Sequence, residues 1–309
     1  MDDGHVLVIG SAGIDVKAYP HGELHWGTPN LGRVRNSVGG VARNIAENLA
    51  RLEVPTVLLT AVGQDSAGRR VLRACGRAGI KVDSVRQVAD GRTGTYMALL
   101  RPDRQLHVAI SDFEITDAID PDYVRAYEPL FYEARMVVVD ATLQPETLAV
   151  IFDLARTYRV KVAADPTTPA LASRLCPFMD ELALVVPNAS ETSALCGTVD
   201  AHDRDTATDS ARHLVSLGVE IAVVTMGEAG LAYAHSGGSG YIRAVQSNIV
   251  DSTGAGDAFS GAAIFGLLNG VPIDEAMRLG ATAASLTLQS RHTVLPNISQ
   301  ELLYDELMA

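Results

Sequence analysis

Short apolar runs alternate with helix-like segments along the C-terminal two thirds of this 309-residue chain. The runs are rich in Val, Ile, Leu and Ala, and each is short enough for a buried strand. Strands that alternate with helices predict a doubly wound α/β fold, in which a mainly parallel sheet has helices on both faces. Four strands are predicted at residues 136–139, 160–164, 182–186 and 221–225, and helices at 41–52, 145–158, 205–217, 273–288 and 300–308.

Polar side chains follow the ends of four of these predicted strands. They are Asp140, Asp165, Asn188 and Thr225. The carboxyl ends of parallel strands lie at one edge of a sheet, where open α/β folds bind ligands. The sequence therefore predicts a ligand site at this edge. Asp15, just beyond a first strand at residues 6–9, is either part of that site or an ordinary turn residue.

The composition narrows the possible partners. The formal net charge is −12, and the chain has no run of Lys or Arg, so we expect no nucleic-acid partner. No apolar run reaches the length of a bilayer span, and the first residues do not resemble a signal peptide. Cys75, Cys176 and Cys196 form no CxxC pair, so we interpret them as reduced, buried thiols of a cytoplasmic protein.

Two segments near the N-terminus differ from this regular pattern. Residues 16–38 contain scattered Gly and Pro and no helical period, and 92–114 contain two strand-like runs joined by a turn. We expect them to form one small sheet that projects from the main body. Between them, Gly39 and Gly40 precede the helix predicted at 41–52, in which Asn44 is either a site residue or a solvent-facing one.

Residues 251–257 carry the clearest chemical signal. They read Asp-Ser-Thr-Gly-Ala-Gly-Asp and lie between a strand-like run that ends at Val250 and an apolar helix-like segment. A glycine turn at a helix start presents several N–H groups to an anion, and Asp257 stands beside them. This pairing suits phosphoryl transfer, with the amides holding charge and the acid accepting a proton. Taken alone, the motif could equally be a turn followed by a capping residue.

Three motifs in this order resemble the ribokinase-like, PfkB-type carbohydrate and nucleoside kinases. They are Gly-Gly-Val-Ala-Arg-Asn at 39–44, Asn-Ala-Ser-Glu at 188–191, and the run at 251–257. The resemblance implies a single ribokinase-like domain over residues 1–309. In it, the segments at about 16–38 and 92–114 form a β-sheet lid that covers the sugar and often makes a homodimer.

The resemblance also implies roles for individual residues. Asp257 would be the general base, and the amides of Gly254, Ala255 and Gly256 would form the anion hole. The remaining roles are substrate binding by Asp15, Gly39, Gly40 and Asn44; ATP binding by Asn188, Thr225, Gly227, Gly230 and Thr253; Mg²⁺ organisation, through water, by Asn188 and Glu191; and a monovalent cation, K⁺, at Asp251 and Thr253.

Within this family, the sequences at 10–16, 39–52 and 108–115 are similar to those of the pseudouridine kinases. That implies a small-molecule acceptor, pseudouridine, whose base Thr95, Ser111 and Asp112 are candidates to contact. Ribokinase, fructokinase and other nucleoside kinases remain alternatives, and so does a non-catalytic sugar or nucleoside sensor. A nicotinamide-dependent oxidoreductase and a P-loop kinase are disfavoured, because the chain has neither GxGxxG after its first strand nor GxxxxGK[ST].

Overall fold

The computed structural model describes residues 4–103, 105–197, 201–244 and 249–308. These residues form thirteen strands, eleven α-helices and three short 3-10 helices. The strands are β1 (His5–Ile9), β2 (Gly13–Pro20), β3 (Gly32–Gly39), β4 (Thr56–Gly63), β5 (Val85–Val88), β6 (Gly94–Leu100), β7 (Leu106–Asp112), β8 (Ala134–Asp140), β9 (Val162–Asp165), β10 (Leu182–Val185), β11 (Ile221–Thr225), β12 (Leu231–His235) and β13 (Gly238–Ile242). The helices are α1 (Val41–Arg51), α2 (Ser66–Arg77), α3 (Pro121–Ala126), α4 (Pro129–Tyr132), α5 (Pro145–Tyr158), α6 (Pro169–Ala172), α7 (Ala189–Cys196), α8 (Arg204–Ser216), α9 (Ala255–Leu268), α10 (Ile273–Leu288) and α11 (Gln300–Met308).

Nine of the described strands form one sheet in the order β13-β12-β11-β10-β9-β8-β1-β4-β5. The pairs from β11 to β5 are parallel, and β12 and β13 extend the sheet as an antiparallel edge. The carboxyl ends of the parallel strands therefore lie at one edge, as the sequence predicts. Asp140 and Asp165 are neighbours at that edge, and Asn188 is bridged to Thr225.

Helices cover both faces of this sheet, and each face has its own apolar core. Val6 and Val8 of β1 contribute to a core with residues of α1, α9 and α10, whereas Leu7 and Ile9 contribute to the opposite core with residues of α5 and α8. The alternation of side chains along a strand explains this division. The doubly wound α/β prediction is confirmed. No helix among the described residues has both the length and the apolarity needed to cross a bilayer.

The remaining four strands form a second sheet in the order β3-β2-β6-β7. They come from the two segments at 16–38 and 92–114, so the expected small sheet is present. One face of it carries four apolar side chains that are about half exposed or more: Val34 at 66%, Met97 at 52%, Val108 at 49% and Ile110 at 68%. Their strand register places all four on the same face.

Two local expectations are wrong. Ile249 and Val250 are not in a strand, and residues 245–248, which precede them, lie outside the described part. Cys176 is exposed, whereas Cys75 is buried as expected.

Candidate active site

Asp257 lies in the first turn of α9, at the carboxyl edge of the nine-stranded sheet, and is buried. Its Oδ2 accepts a hydrogen bond of 2.7 Å from Nδ2 of Asn44 in α1. Burial raises the pKa of Asp257 to about 7, and the nearby Asp15 and Asp140 add to the rise while Asn44 and Arg43 oppose it. A carboxyl group with a pKa near neutrality suits general-base catalysis.

The turn before Asp257 is shaped by Gly254, which caps α9 with φ of +86°. A Cβ at this position would stand 2.0 Å from the carbonyl oxygen of Thr293, so only glycine fits. The first intrahelical bond joins the N–H of Ala258 to the carbonyl of Gly254. The amides of Ala255 and Gly256 precede that bond, and the positive end of the helix dipole makes them a site for an anion.

Asn44 is held in one orientation by Arg43. The Nη1 of Arg43 donates to Oδ1 of Asn44 at 2.5 Å and to the carbonyl of Val38 at 3.2 Å, and Nη2 contacts Glu47. Because the amide oxygen of Asn44 accepts from Arg43, its amide nitrogen faces Asp257. Arg43 was missed by the sequence reasoning, and only its place in the Gly-Gly motif could have indicated it.

Asp15 is buried against the two glycines that precede α1. A Cβ on Gly39 would lie 2.1 Å from Oδ1 of Asp15, and Gly40 has φ of +95°. These glycines therefore allow the carboxylate and the start of α1 to approach each other. Burial raises the pKa of Asp15, although Lys17, Arg43 and a hydrogen bond from Thr293 lower it. Asn44 bonds to Asp257, and Asp15 lies near enough for its charge to raise the pKa of Asp257, so the structure brings these three residues together.

Asn188 and Glu191 form a capping box at the start of α7. The Asn188 N–H donates to Oε2 of Glu191 at 2.9 Å, and the Glu191 N–H donates to Oδ1 of Asn188 at 3.0 Å. Thr225 is adjacent to Asn188 on the next strand. After Thr225, Gly227 begins a short 3-10 helix (Gly227–Ala229) that ends at Gly230, and both glycines have positive φ. The predicted ATP-binding residues of this region therefore lie side by side.

Asp165 and Glu191 at this sheet edge could bind a divalent cation such as Mg²⁺. Burial raises the pKa of Asp165 well above its usual value, and the charges of Glu191 and Asp257 raise it further. Burial also raises the pKa of Glu191, against its bonds to Asn188. No cluster of three ligating side chains occurs among the described residues. Mg²⁺ in nucleotide sites is commonly bound by one or two carboxylates together with waters and substrate phosphates.

The predicted monovalent-cation position has a different occupant. Lys17 of β2 donates from Nζ to Oδ1 of Asp251 at 2.8 Å and to Oδ2 at 2.7 Å. The N–H of Thr253 donates to Oδ1 at 2.9 Å. Both carboxylate oxygens of Asp251 are therefore already bound to an ammonium group, and the residues as arranged do not suit a further cation. The sequence analysis did not identify Lys17, although alternation along β2 places it on the same face of the strand as Asp15.

The candidate base-contacting residues divide between two faces of the four-stranded sheet. Thr95 pairs with Ile14 and Asp112, whereas Tyr96 pairs with Asp15 and Ser111. Paired residues share a face, so Thr95 and Asp112 lie on the face opposite Asp15, away from this site. Tyr96 lies near it. Burial raises the pKa of Tyr96, and the charges of Asp15 and Asp251 raise it further.

The chain is similar in sequence and in fold to several known proteins. A family described as "pfkB family carbohydrate kinase" matches residues 3–300. The pseudouridine kinase of Escherichia coli K12 is 32% identical over 296 residues, which cover 96% of this chain and 94% of that protein. A carbohydrate kinase from Agrobacterium tumefaciens has a TM-score of 0.84 at 28% identity, covering 99% and 97% of the two chains. Arabidopsis thaliana ribokinase, solved with ribose and ATP, has a TM-score of 0.86 at 23% identity, covering 99% of each.

Proposed function

Because the chain belongs to the pfkB family of carbohydrate kinases, we propose that it transfers the γ-phosphoryl group of ATP to the 5′-hydroxyl of pseudouridine. The observation that carries the reaction type is the pairing of Asp257, whose pKa is about 7, with the glycine turn at the start of α9. The acceptor rests on the 32% identity to a pseudouridine kinase over nearly the whole chain.

In this proposal Asp257 accepts the proton of the attacking hydroxyl. The oxygen of that hydroxyl forms a bond to the γ-phosphorus as the bond to the β-phosphate oxygen breaks. The amides of Gly254, Ala255 and Gly256 face the charge that spreads over the transferred group, and such donors are among the largest contributions to catalysis. The bond from Asn44 fixes the carboxylate, so its other oxygen is available for the proton.

Asp15, Gly39, Gly40 and Asn44 are proposed to bind the ribose hydroxyls. A carboxylate can accept from two vicinal hydroxyls, and an amide both donates and accepts. For the base, we favour Tyr96, together with Ser111, over the opposite-facing Thr95 and Asp112. Tyr96 shares the face of Asp15, and its ring offers an apolar surface on which a nucleobase can stack.

ATP is proposed to lie along the carboxyl edge of β10 and β11. A Cβ on Gly227 would meet nothing within 4 Å, so the backbone there is open to a nucleotide, and Asn188 and Thr225 lie beside it. Mg²⁺ near Glu191 and Asp165 would supply positive charge to the phosphates and offset the repulsion between these acids. The amide of Thr253, which donates to Asp251, helps to shape the turn at the phosphate end.

The four-stranded sheet is proposed to be the lid of a single kinase unit and the contact of a homodimer. The outer face with Val34, Met97, Val108 and Ile110 is the support for this contact, because such apolar patches commonly mark interaction sites. A second copy of the same sheet would bury these four side chains by a two-fold, face-to-face contact.

A substrate panel tests the function. Purified protein with ATP and Mg²⁺ is offered pseudouridine, uridine, adenosine, ribose and fructose, and ADP release is followed. We expect the largest kcat/KM with pseudouridine. Turnover of ribose or adenosine without turnover of pseudouridine would reject the acceptor and keep the family. Binding of nucleoside with no ADP release across the panel would favour the sensor.

A further inference from the structure

The ion pair of Lys17 and Asp251 joins the two parts of the proposed site. Lys17 belongs to β2 of the four-stranded sheet, and Asp251 begins the turn that leads to Gly254. Both side chains are largely buried, with exposures of 7% and 13%. Asp15, two residues before Lys17, lies on the same face of β2. A single strand therefore reaches both the acceptor pocket and the anion turn.

Asp251 is held by this ammonium group and by neighbouring donors. Besides the two bonds from Lys17, its Oδ1 accepts a hydrogen bond of 2.9 Å from the N–H of Thr253. The hydroxyl of Tyr19 lies 3.3 Å from Oδ2 as a further donor. Removing one partner of a buried ion pair leaves an uncompensated charge, which is strongly unfavourable.

We propose that the Lys17 ammonium is the resident cation of the anion turn and makes the enzyme independent of K⁺. Lys17 carries the same single positive charge as K⁺ and binds the carboxylate that such an ion would need. It is covalently part of the lid sheet, so the charge is always present at the turn. The inference deepens the proposed function, because Lys17 is then the positioning residue for the amides that face the phosphoryl group.

Three variants separate this role from simple loss of charge. Lys17→Ala removes the ammonium and leaves space at Asp251. Arg33→Ala removes a positive charge from the neighbouring strand β3, where the side chain is exposed, and serves as the matched control. The double variant Lys17→Ala/Asp251→Asn removes both charges of the pair, so it lacks the buried, unpaired carboxylate.

Each protein is assayed in KCl and in tetramethylammonium chloride at equal ionic strength, for kcat and for Tm. The wild type and Arg33→Ala should show equal rates and equal Tm in the two salts. In tetramethylammonium, Lys17→Ala should lose about tenfold or more in kcat, because a displaced catalytic turn loses its alignment. Its Tm should fall by about 5 °C or more. K⁺ should restore both saturably, and the double variant should recover Tm without responding to K⁺.

Two results would overturn the proposal. One is a saturable, K⁺-specific rise in the rate or Tm of the wild type. The other is a Lys17→Ala protein that responds to K⁺ no differently from Arg33→Ala, which would reduce Lys17 to an ordinary ion pair. The Tm measurements need no substrate, so they remain decisive even if pseudouridine proves to be the wrong acceptor. The kcat measurements then use whichever substrate of the panel is turned over.

Discussion

Replacing Asp257 by Asn should lower kcat and raise the free energy of unfolding at neutral pH. Asn has nearly the same shape but cannot accept the proton of the attacking hydroxyl. We expect kcat to fall by about 10²-fold or more, the usual size of a general-base contribution. The same change removes a buried carboxyl group whose pKa is raised from 3.8 to about 7, mainly by burial. That difference corresponds to at most about 4 kcal/mol between the neutral and the charged group.

The sign of the stability effect follows from the direction of the pKa change. The folded protein holds the Asp257 proton up to about pH 7, whereas the unfolded chain releases it near pH 4. The wild type therefore loses stability as the pH rises between these values, and the loss is complete above about pH 7. Asp257→Asn has no proton to lose. Its free energy of unfolding, relative to wild type, should increase from pH 4 to pH 8.

Two assays test this reasoning. Denaturant unfolding of both proteins at pH 4.5, 6 and 8 gives the stability difference, and ADP release gives kcat over the same range. In the wild type, kcat/KM should decline below about pH 7 as Asp257 becomes protonated. Asn44→Ala should move this decline to higher pH, because it removes a bond that lowers the pKa of Asp257. A stability difference that is flat with pH, or an Asn variant with near-normal kcat, would refute the argument.

Three further changes test other parts of the site. Gly254→Ala should lower both Tm and kcat, because its backbone has φ of +86° and the new Cβ would overlap a carbonyl oxygen. The control is Gly256→Ala, which should keep the wild-type Tm because its Cβ would meet nothing within 4 Å. Tyr96→Ala should raise KM for the nucleoside by about tenfold through loss of stacking, whereas Thr95→Ala, on the other face, should leave KM unchanged in titrations of the acceptor. Ile110→Glu should convert dimers into monomers, as measured by light scattering on a sizing column, and a wild type that is already monomeric would contradict the proposed dimer.

The sequence was sufficient to predict the fold class and several elements to the residue. Helices α5, α10 and α11 begin and end at the predicted residues. The strand-end rule also brought the polar residues of neighbouring strands together, because parallel strands share an edge whatever their loops do. The helix bounds and the shared strand edge both depend on local periodicity and chirality, which can be read from short stretches of sequence.

Contacts between distant segments were beyond the sequence reasoning. Lys17 and Asp251 are separated by more than two hundred residues, and nothing near either one indicates the other. Thr95 and Asp112 became candidates through the family resemblance alone, whereas a one-residue difference of register decides which face a strand residue occupies. The short helices at 121–126, 129–132 and 169–172 were missed because a single turn carries no apolar period.

The hydrogen bonds at the sheet edge distinguish Asp257, the proposed base, from Asp140. Asp140 accepts from the N–H and Oγ of Ser11, the N–H of Ala42, and the N–H and Oγ1 of Thr142. Those five donors occupy both of its oxygens and tie the turn after β1 and the start of α1 to the end of β8, so a proton from a substrate would have to displace a structural bond. Within the described residues, Asp257 accepts one side-chain bond, from Asn44. Its second oxygen stays available beside the amides of the glycine turn. In the proposed mechanism the same sheet edge thus uses one buried carboxylate, Asp140, to hold the scaffold and another, Asp257, with fewer bonds and a raised pKa, to accept the proton.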